Sequence, residues 1–324
     1  MSTRSGELNT VIIDGAPVLR PRKLPLKTRL YRDRYLLMLL LPVLVFYVIF
    51  RYVPMYGLVI AFKDFRLVDG ILGSQWAGLT HIERMFRSEH FFRIVRNTVL
   101  LNVYQLLFQF PAPIVLAILI NEMRSKTLKR GVQSLLYVPH FISWVVMGGI
   151  IITILSPSTG IVNRILTQNF GIRPIFFLAD RTWWVIVFIF SGIWKSAGWG
   201  TILYLAAITN IDPQLYEAAI IDGAGKFRQI WHITLPGLST TIGILLILNV
   251  GGFMEVNFEQ IFILQNQAVM RVADVIPTFV YRAGLLGAQF SYTTAVGFFQ
   301  SIVGLILIWS TNRIIKALGG SGLF

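Results

Sequence analysis

The residues of this 324-residue chain with the chemistry for acid–base or metal work are few and scattered. Four histidines, His81, His90, His140 and His232, lie far apart and lack metal-ligand spacing. Cysteine is absent, which excludes disulfides, thiol nucleophiles and thiolate metal sites. Glu255 and Glu259 stand four apart on the apparent fifth span and mimic a carboxylate pair. Nothing nearby points to hydrolysis, and glycosidase carboxylates work in a soluble cleft. Gly223-Ala-Gly-Lys226 invites a phosphate-loop reading. A P-loop needs glycine five residues before the Gly-Lys pair and Ser or Thr after it. Those positions hold Ile220 and Phe227, so the chain is expected to bind neither ATP nor any other cofactor. Lys195, between Trp194 and Trp199, is the clearest ionisable group inside an apolar run. Such a group faces a cavity, pairs, or snorkels to the surface.

The elements that must position these residues are membrane helices. Hydrophobic residues make up 55% of the chain and charged residues 14%, well below a globular domain. A net charge of +14 raises nucleic acid as a partner, but the charges fall between long apolar runs, not on a basic face. A spanning helix needs about 20 mostly apolar residues. Windows at Tyr35–Phe50, Asn97–Asn121, Val132–Leu155, Thr182–Ile211, Gly237–Met254 and Ala283–Asn312 predict six transmembrane helices. The fold class is all-α integral membrane, with lipid as its surroundings.

Arginines and lysines beside the first span and in the loop at Arg124, Lys126, Lys129 and Arg130 place both termini in the cytoplasm. Seven basic residues between Arg51 and Arg96 run against the rule, partly offset by Asp64, Asp69, Glu83 and Glu89. The expected organisation is a basic tail over residues 1–34, a transmembrane domain over 35–316 and a short tail over 317–324. Within the domain lie an ordered outer element at 52–92 and a cytoplasmic loop at 207–238. The tail has no apolar core and is no signal peptide, and the first span stays as an anchor.

The cytoplasmic loop is the most informative segment. Asp212 suits a helix N-cap, Pro213 its first position, and Gly223 a left-handed terminating residue. The sequence therefore writes a helix of about nine residues, a turn, and a second helix from about Lys226, with Pro236 separating this unit from the fifth span. Leu215, Ala218 and Ala219 share one face that another surface can approach closely. Either this is an ordinary connection or it docks a cytosolic partner.

Twenty consecutive positions here carry a resemblance. Glu217-Ala218-Ala219, Asp222-Gly223-Ala224, Phe227, Ile230, Ile233 and Leu235-Pro236 resemble the EAA loop of permease subunits in binding-protein-dependent ABC importers. Asn97-Thr98 and Val138-Pro-His-Phe-Ile-Ser-Trp144 look like the maltose-type carbohydrate permeases. The latter stretch and Tyr56-Gly-Leu-Val-Ile-Ala-Phe-Lys-Asp-Phe65 are most similar to a branch that takes up complex oligosaccharides, including alginate and polygalacturonan.

The resemblance implies a type I importer permease of the bacterial inner membrane. It implies a second homologous permease, two ATP-binding subunits carrying ATP and Mg, an extracytoplasmic solute-binding protein and an oligosaccharide cargo. It makes Glu217, Ala218, Ala219, Asp222, Gly223 and Phe227 the coupling positions. By position in the helices flanking the loop, it nominates Gly192, Trp194, Lys195, Phe253, Met254, Glu255 and Asn257 for the substrate path. The departure from a neutral pattern at Lys195 and Glu255 puts maltose itself in doubt, and a Lys195 facing the translocation cavity would suit an acidic sugar. Trp194 and Trp199 either stack on sugar rings or pack against lipid. Outside, the segment Asp274 to Tyr281, flanked by Arg271 and Arg282, is expected to touch the binding protein. An ion-coupled secondary carrier would show inverted repeats, and a membrane enzyme a clustered acid–base or metal constellation. The sequence shows neither.

Overall fold

A computed structural model describes residues 8–13, 16–21, 28, 31–254 and 256–317. Two compact units divide at Val59. In the first, β1 (Leu8–Ile13) and β2 (Ala16–Pro21) pair antiparallel, with Val11 opposite Val18. The pair lies within the tail expected over residues 1–34, and its sequence signal is the β-branched run Thr10–Ile13 ending at Asp14-Gly15. Next comes α1 (Arg34–Tyr47), the start of an apolar helical run from Arg34 to Phe62. The second tail, residues 318–324, lies outside the described residues.

The second unit opens on the expected small ordered element, where β3 (Lys63–Asp64) pairs with β4 (Gln75–Trp76). Lys63 closes the connection by donating its ammonium to the carbonyls of Ile71 and Leu72. A 33-residue run follows, made of α2 (Glu89–Tyr104), a π-helical turn at Gln105–Gln109, and α3 (Pro111–Asn121). Then come α4 (Lys126–Phe141), α5 (Trp144–Ile154), α6 (Ile161–Phe170) and the 29-residue α7 (Arg181–Thr209). Asp180 caps α7 by accepting from the backbone of Thr182 and Trp183. The coupling-loop helix is α8 (Pro213–Ile221). The remaining long elements are α9 (Leu235–Gly251), α10 (Phe258–Leu264) and α11 (Phe290–Ala317).

The predicted third span is not one straight helix. α4 and α5 meet at a bend of 102°, with Ile142 extended and Ser143 capping α5 through the Val146 amide. Among the described residues, five helices are long and apolar enough to cross a membrane, or six if the bent pair is one span. Packing settles the count. Leu101 shares a core cluster with Trp184 and Phe188, and Ile114 and Ala117 share another with Tyr204 and Ile208. The α2–α3 run and α7 are therefore parallel. Lys226 also reaches Glu122 at 3.0 Å, placing the end of α3 and the coupling loop on one face. Parallel neighbours require the intervening α4–α5 pair to return the chain across the membrane.

Two other expectations change. Pro236 does not separate the coupling unit from the fifth span, because helix runs unbroken from Lys226 to Gly251. A π-helical turn at Ile230–Thr234 precedes the proline and absorbs its missing N–H. The segment Asp274 to Phe279 is largely core, not an outer docking surface. Asp274 is 2% exposed and pairs with Arg282 at 2.7 Å and His90 at 3.3 Å. Its carbonyl accepts from Asn97, as does that of Arg271, while Ile276 and Phe279 pack on Met85 and Phe91.

Close approach matters most where α7 crosses α4. A Cβ at Gly198 would overlap the carbonyl oxygen of Leu136, whereas one at Gly297 of α11 meets nothing in this chain within 4 Å. Gly198→Ala is therefore expected to cost about 1–3 kcal/mol by overpacking. Gly297→Ala is expected to be neutral or to gain up to about 1 kcal/mol of helix stability. Thermal unfolding of the two variants in detergent should separate them, and equal midpoints would rule out this packing.

Candidate functional site: a mid-membrane cavity and a coupling helix

Three irregularities interrupt the spans at similar depth. The π-helical turn lies midway along the α2–α3 run, and the α4–α5 bend sits against the middle of α7. α9 stops at Gly251, which packs beside Ile308 and Gly304 well inside α11, and helix is resumed at α10, which Asn257 caps. Unwound backbone at this depth persists only where protein satisfies it or where it lines a cavity. Both conditions hold. Gln300 donates to the Met254 carbonyl at 2.9 Å.

The first and third of these breaks, with α7, line a cavity of about 670 Å³. Its polar lining is amide and hydroxyl: Asn102, Gln105 and Gln109 from the first break, Ser196 and Tyr204 from α7, and Asn249 and Asn257 from the third. Phe110, Phe253 and Leu248 supply apolar walls. Neutral donors and acceptors at membrane depth beside aromatic surface suit a hydroxyl-rich ligand.

Of the residues nominated from sequence, Phe253 and Asn257 line this cavity. Gly192 lies one layer out, where a Cβ would strike the Gln109 side chain. Met254 is buried in the core against α11. Trp194 is 47% exposed and borders a separate apolar groove with Ile150, Trp183 and Phe190, so of the two expectations for it the structure fits lipid packing. Trp199 stacks on His140 with centroids 4.6 Å apart. Glu255 lies outside the described residues. Glu259 belongs to α10, beyond the Asn257 cap, and not to the fifth helix.

Lys195 does not line the cavity. Its ammonium donates to the carbonyls of His140 (3.1 Å) and Ile142, and lies 5.5 Å from the centre of the Trp144 ring. These are the carbonyls freed where α4 ends at the bend. Lys195 is a cation at a helix C-terminus, where the partial negative charge favours it. The cavity residues that sequence reading passed over, Asn102, Gln105 and Gln109, had a signal: three amides at helical spacing within an uncharged run.

The second part of the candidate site is the loop at 207–238. Asp212 caps α8 by accepting from the Gln214 amide at 2.9 Å, and α8 runs nine residues. Gly223 takes φ +73°, and the Ala224 amide closes back on the Ala219 carbonyl at 2.8 Å. The next helix begins at Lys226, which is bound to Glu122, and Tyr216 meets Thr234 at 3.0 Å. Glu217, Ala218 and Asp222 are exposed and Ala219 is half-buried. Ile221 and Phe227 are 86% and 79% exposed, with Leu215 and Ile220 also bare. Contiguous exposed apolar side chains on a polar face mark a docking surface.

Residues 109–319, more than half the chain, match the family model described as a binding-protein-dependent transport system inner membrane component. The chain belongs to that family. This permease is 43% identical over 99% of its length to the polygalacturonan/rhamnogalacturonan transport system permease protein YteP of Bacillus subtilis (strain 168), all of which is covered. It is 44% identical to protein LplB of the same organism, over 95% of this chain and 97% of that one. Among solved structures it is similar to a bacterial alginate ABC transporter in complex with an alginate pentasaccharide-bound periplasmic protein. The TM-score there is 0.85 at 41% identity, covering 92% of this chain and 99% of that one. A second structure, of a bacterial ABC transporter involved in import of the acidic polysaccharide alginate, gives 0.83 at 42% identity, over 90% and 98%. The permease is a multi-pass membrane protein of the type I importer fold, not a catalytic domain.

Proposed function

We propose that this permease is one membrane-spanning subunit of an ATP-driven importer in a bacterial inner membrane, and that its cargo is an acidic oligosaccharide. A second homologous permease, two ATP-binding subunits and an extracytoplasmic solute-binding protein complete the machine. ATP and Mg belong to the ATP-binding subunits. The termini and the coupling loop face the cytoplasm, and Glu217, Ala218, Ala219, Asp222, Gly223 and Phe227 meet the ATPase.

The observation that carries this reading is a mechanical one. The bare coupling loop joins rigidly to two walls of the mid-membrane cavity. From Lys226 the helix runs without a break to Gly251, bringing Asn249 to the cavity wall. Through the Lys226–Glu122 contact the loop also grips the run that carries Gln105 and Gln109. A displacement of α8 by ATPase closure therefore moves both walls as a body. The cargo assignment draws on the relatives that handle polygalacturonan and alginate. Lys195 is not needed for it, because amide N–H groups bind carboxylates as well as hydroxyls.

The test is ATPase activity of the reconstituted complex with its binding protein. Uronate oligosaccharides should stimulate it several-fold and neutral maltodextrins should not. Stimulation by neutral sugars alone would overturn the cargo, and failure of any ATPase to co-purify would overturn the importer reading.

A further inference from the structure

A second cleft, of about 570 Å³, opens on the face opposite the coupling loop, between the β3–β4 element and the start of α11. Its volume is in the range of small-ligand sites. The two parts are tied together: the Phe65 amide donates to Ser291, and the Phe65 and Phe290 rings meet edge to face at 5.7 Å. At its lip Ala288 is held at φ +51°, a left-handed value that a residue with a Cβ rarely adopts and that recurs at functional sites.

The two aspartates and two arginines of this cleft balance in formal charge, but they are not all paired with one another. Asp64 is committed to His81 at 2.9 Å, and Asp69 lies 4.0 Å from Arg66. Arg84 has no carboxylate partner among the described residues. Its guanidinium lies 4.8 Å from the centre of the Tyr292 ring and touches only the Gln289 amide oxygen, at 3.4 Å. The ring orients a planar donor fork at the cleft, with the Gln75 and Gln289 amides beside it. A fork of this kind pairs with a carboxylate through two parallel hydrogen bonds. The amides suit hydroxyls, and the Phe65 and Phe290 rings suit the C–H face of a sugar.

We propose that this cleft is an accessory glycan site that holds one uronate unit of an acidic sugar chain, apart from the mid-membrane cavity. Only the choice of sugar rests on the importer reading. Isothermal titration of the assembled complex, purified without its binding protein, with tetragalacturonate and with maltotetraose tests it. The acidic sugar is expected to bind and the neutral one not. Arg84→Gln should weaken binding about tenfold or more, Arg84→Lys less, since a point charge replaces the fork. Arg173→Gln, which removes an exposed arginine outside the cleft, should leave this binding in place. Undiminished binding by Arg84→Gln, an equal loss through Arg173→Gln, or no binding by the native complex would each overturn the site. ATPase stimulation by sugar-loaded binding protein in the same preparation reports on the importer separately. A preparation so stimulated, yet blind to free sugar, loses the cleft and keeps the importer.

Discussion

Gly223→Val and Phe227→Ala are each expected to uncouple transport from ATP hydrolysis, leaving the permease inserted and paired but its ATPase dissociating. The two changes act differently. Gly223 sits at φ +73° between α8 and the helix that starts at Lys226. A β-branched residue there costs about 1–2 kcal/mol of backbone strain, or moves the turn and swings α8 off its axis. Phe227 is 79% exposed, so its truncation costs this chain little and acts on the partner. A buried aromatic anchor at an interface is worth about 2 kcal/mol or more, a thirty-fold loss of affinity. Glu217→Ala should fall in the same direction by removing an exposed charge from the docking face. Co-purified ATPase per permease and sugar-stimulated hydrolysis in proteoliposomes are the readouts. Near-native uptake in both Gly223→Val and Phe227→Ala would refute the loop's role.

That loop was legible in the sequence because its signals are local. Asp212, Pro213 and Gly223 each do in the structure what their chemistry dictates within a few residues of themselves. The apolar windows were legible for a similar reason, since bilayer thickness sets their length. What sequence reading lost were the interruptions. The 102° bend between α4 and α5 falls inside one uncharged window, and hydropathy does not sense direction. The halt of the fifth span at mid-membrane depends on Gln300, distant in sequence, donating to the freed Met254 carbonyl. Pro236 looked like a boundary because proline breaks an ordinary helix, yet the π-helical turn before it removes the conflict. Arg282 looked like the flank of an outer docking segment, and its pairing with Asp274 is a tertiary fact. The cavity was half legible. Phe253 and Asn257 came from position, while Asn102, Gln105 and Gln109 were passed over because a lone charge drew the eye to Lys195.

Lys195→Met is expected to lower the thermal midpoint of the complex and to reduce uptake of acidic and neutral sugars alike. An ammonium at mid-membrane costs about 2.5–3.5 kcal/mol by insertion scales, so something must offset it. The offset here is the pair of carbonyls at His140 and Ile142 together with the Trp144 ring. Methionine fills similar volume and removes the charge cost, but it leaves both carbonyls without their donor at membrane depth. Hydrogen bonds to a charged group contribute about 1.5–3 kcal/mol each, so the net change should still be destabilising. The bend would then relax, shifting α4 against α7 at the contact between Leu136 and Gly198. Arginine keeps a positive donor and should restore part of the midpoint, though its wider fork crowds the stacked His140–Trp199 pair. A substrate-facing cation predicts the opposite pattern: an unchanged midpoint, with uptake lost for acidic sugars only. Differential scanning fluorimetry beside uptake of the two sugar types therefore decides whether this charge holds the fold or reads the cargo, and the two carbonyl contacts argue for the fold.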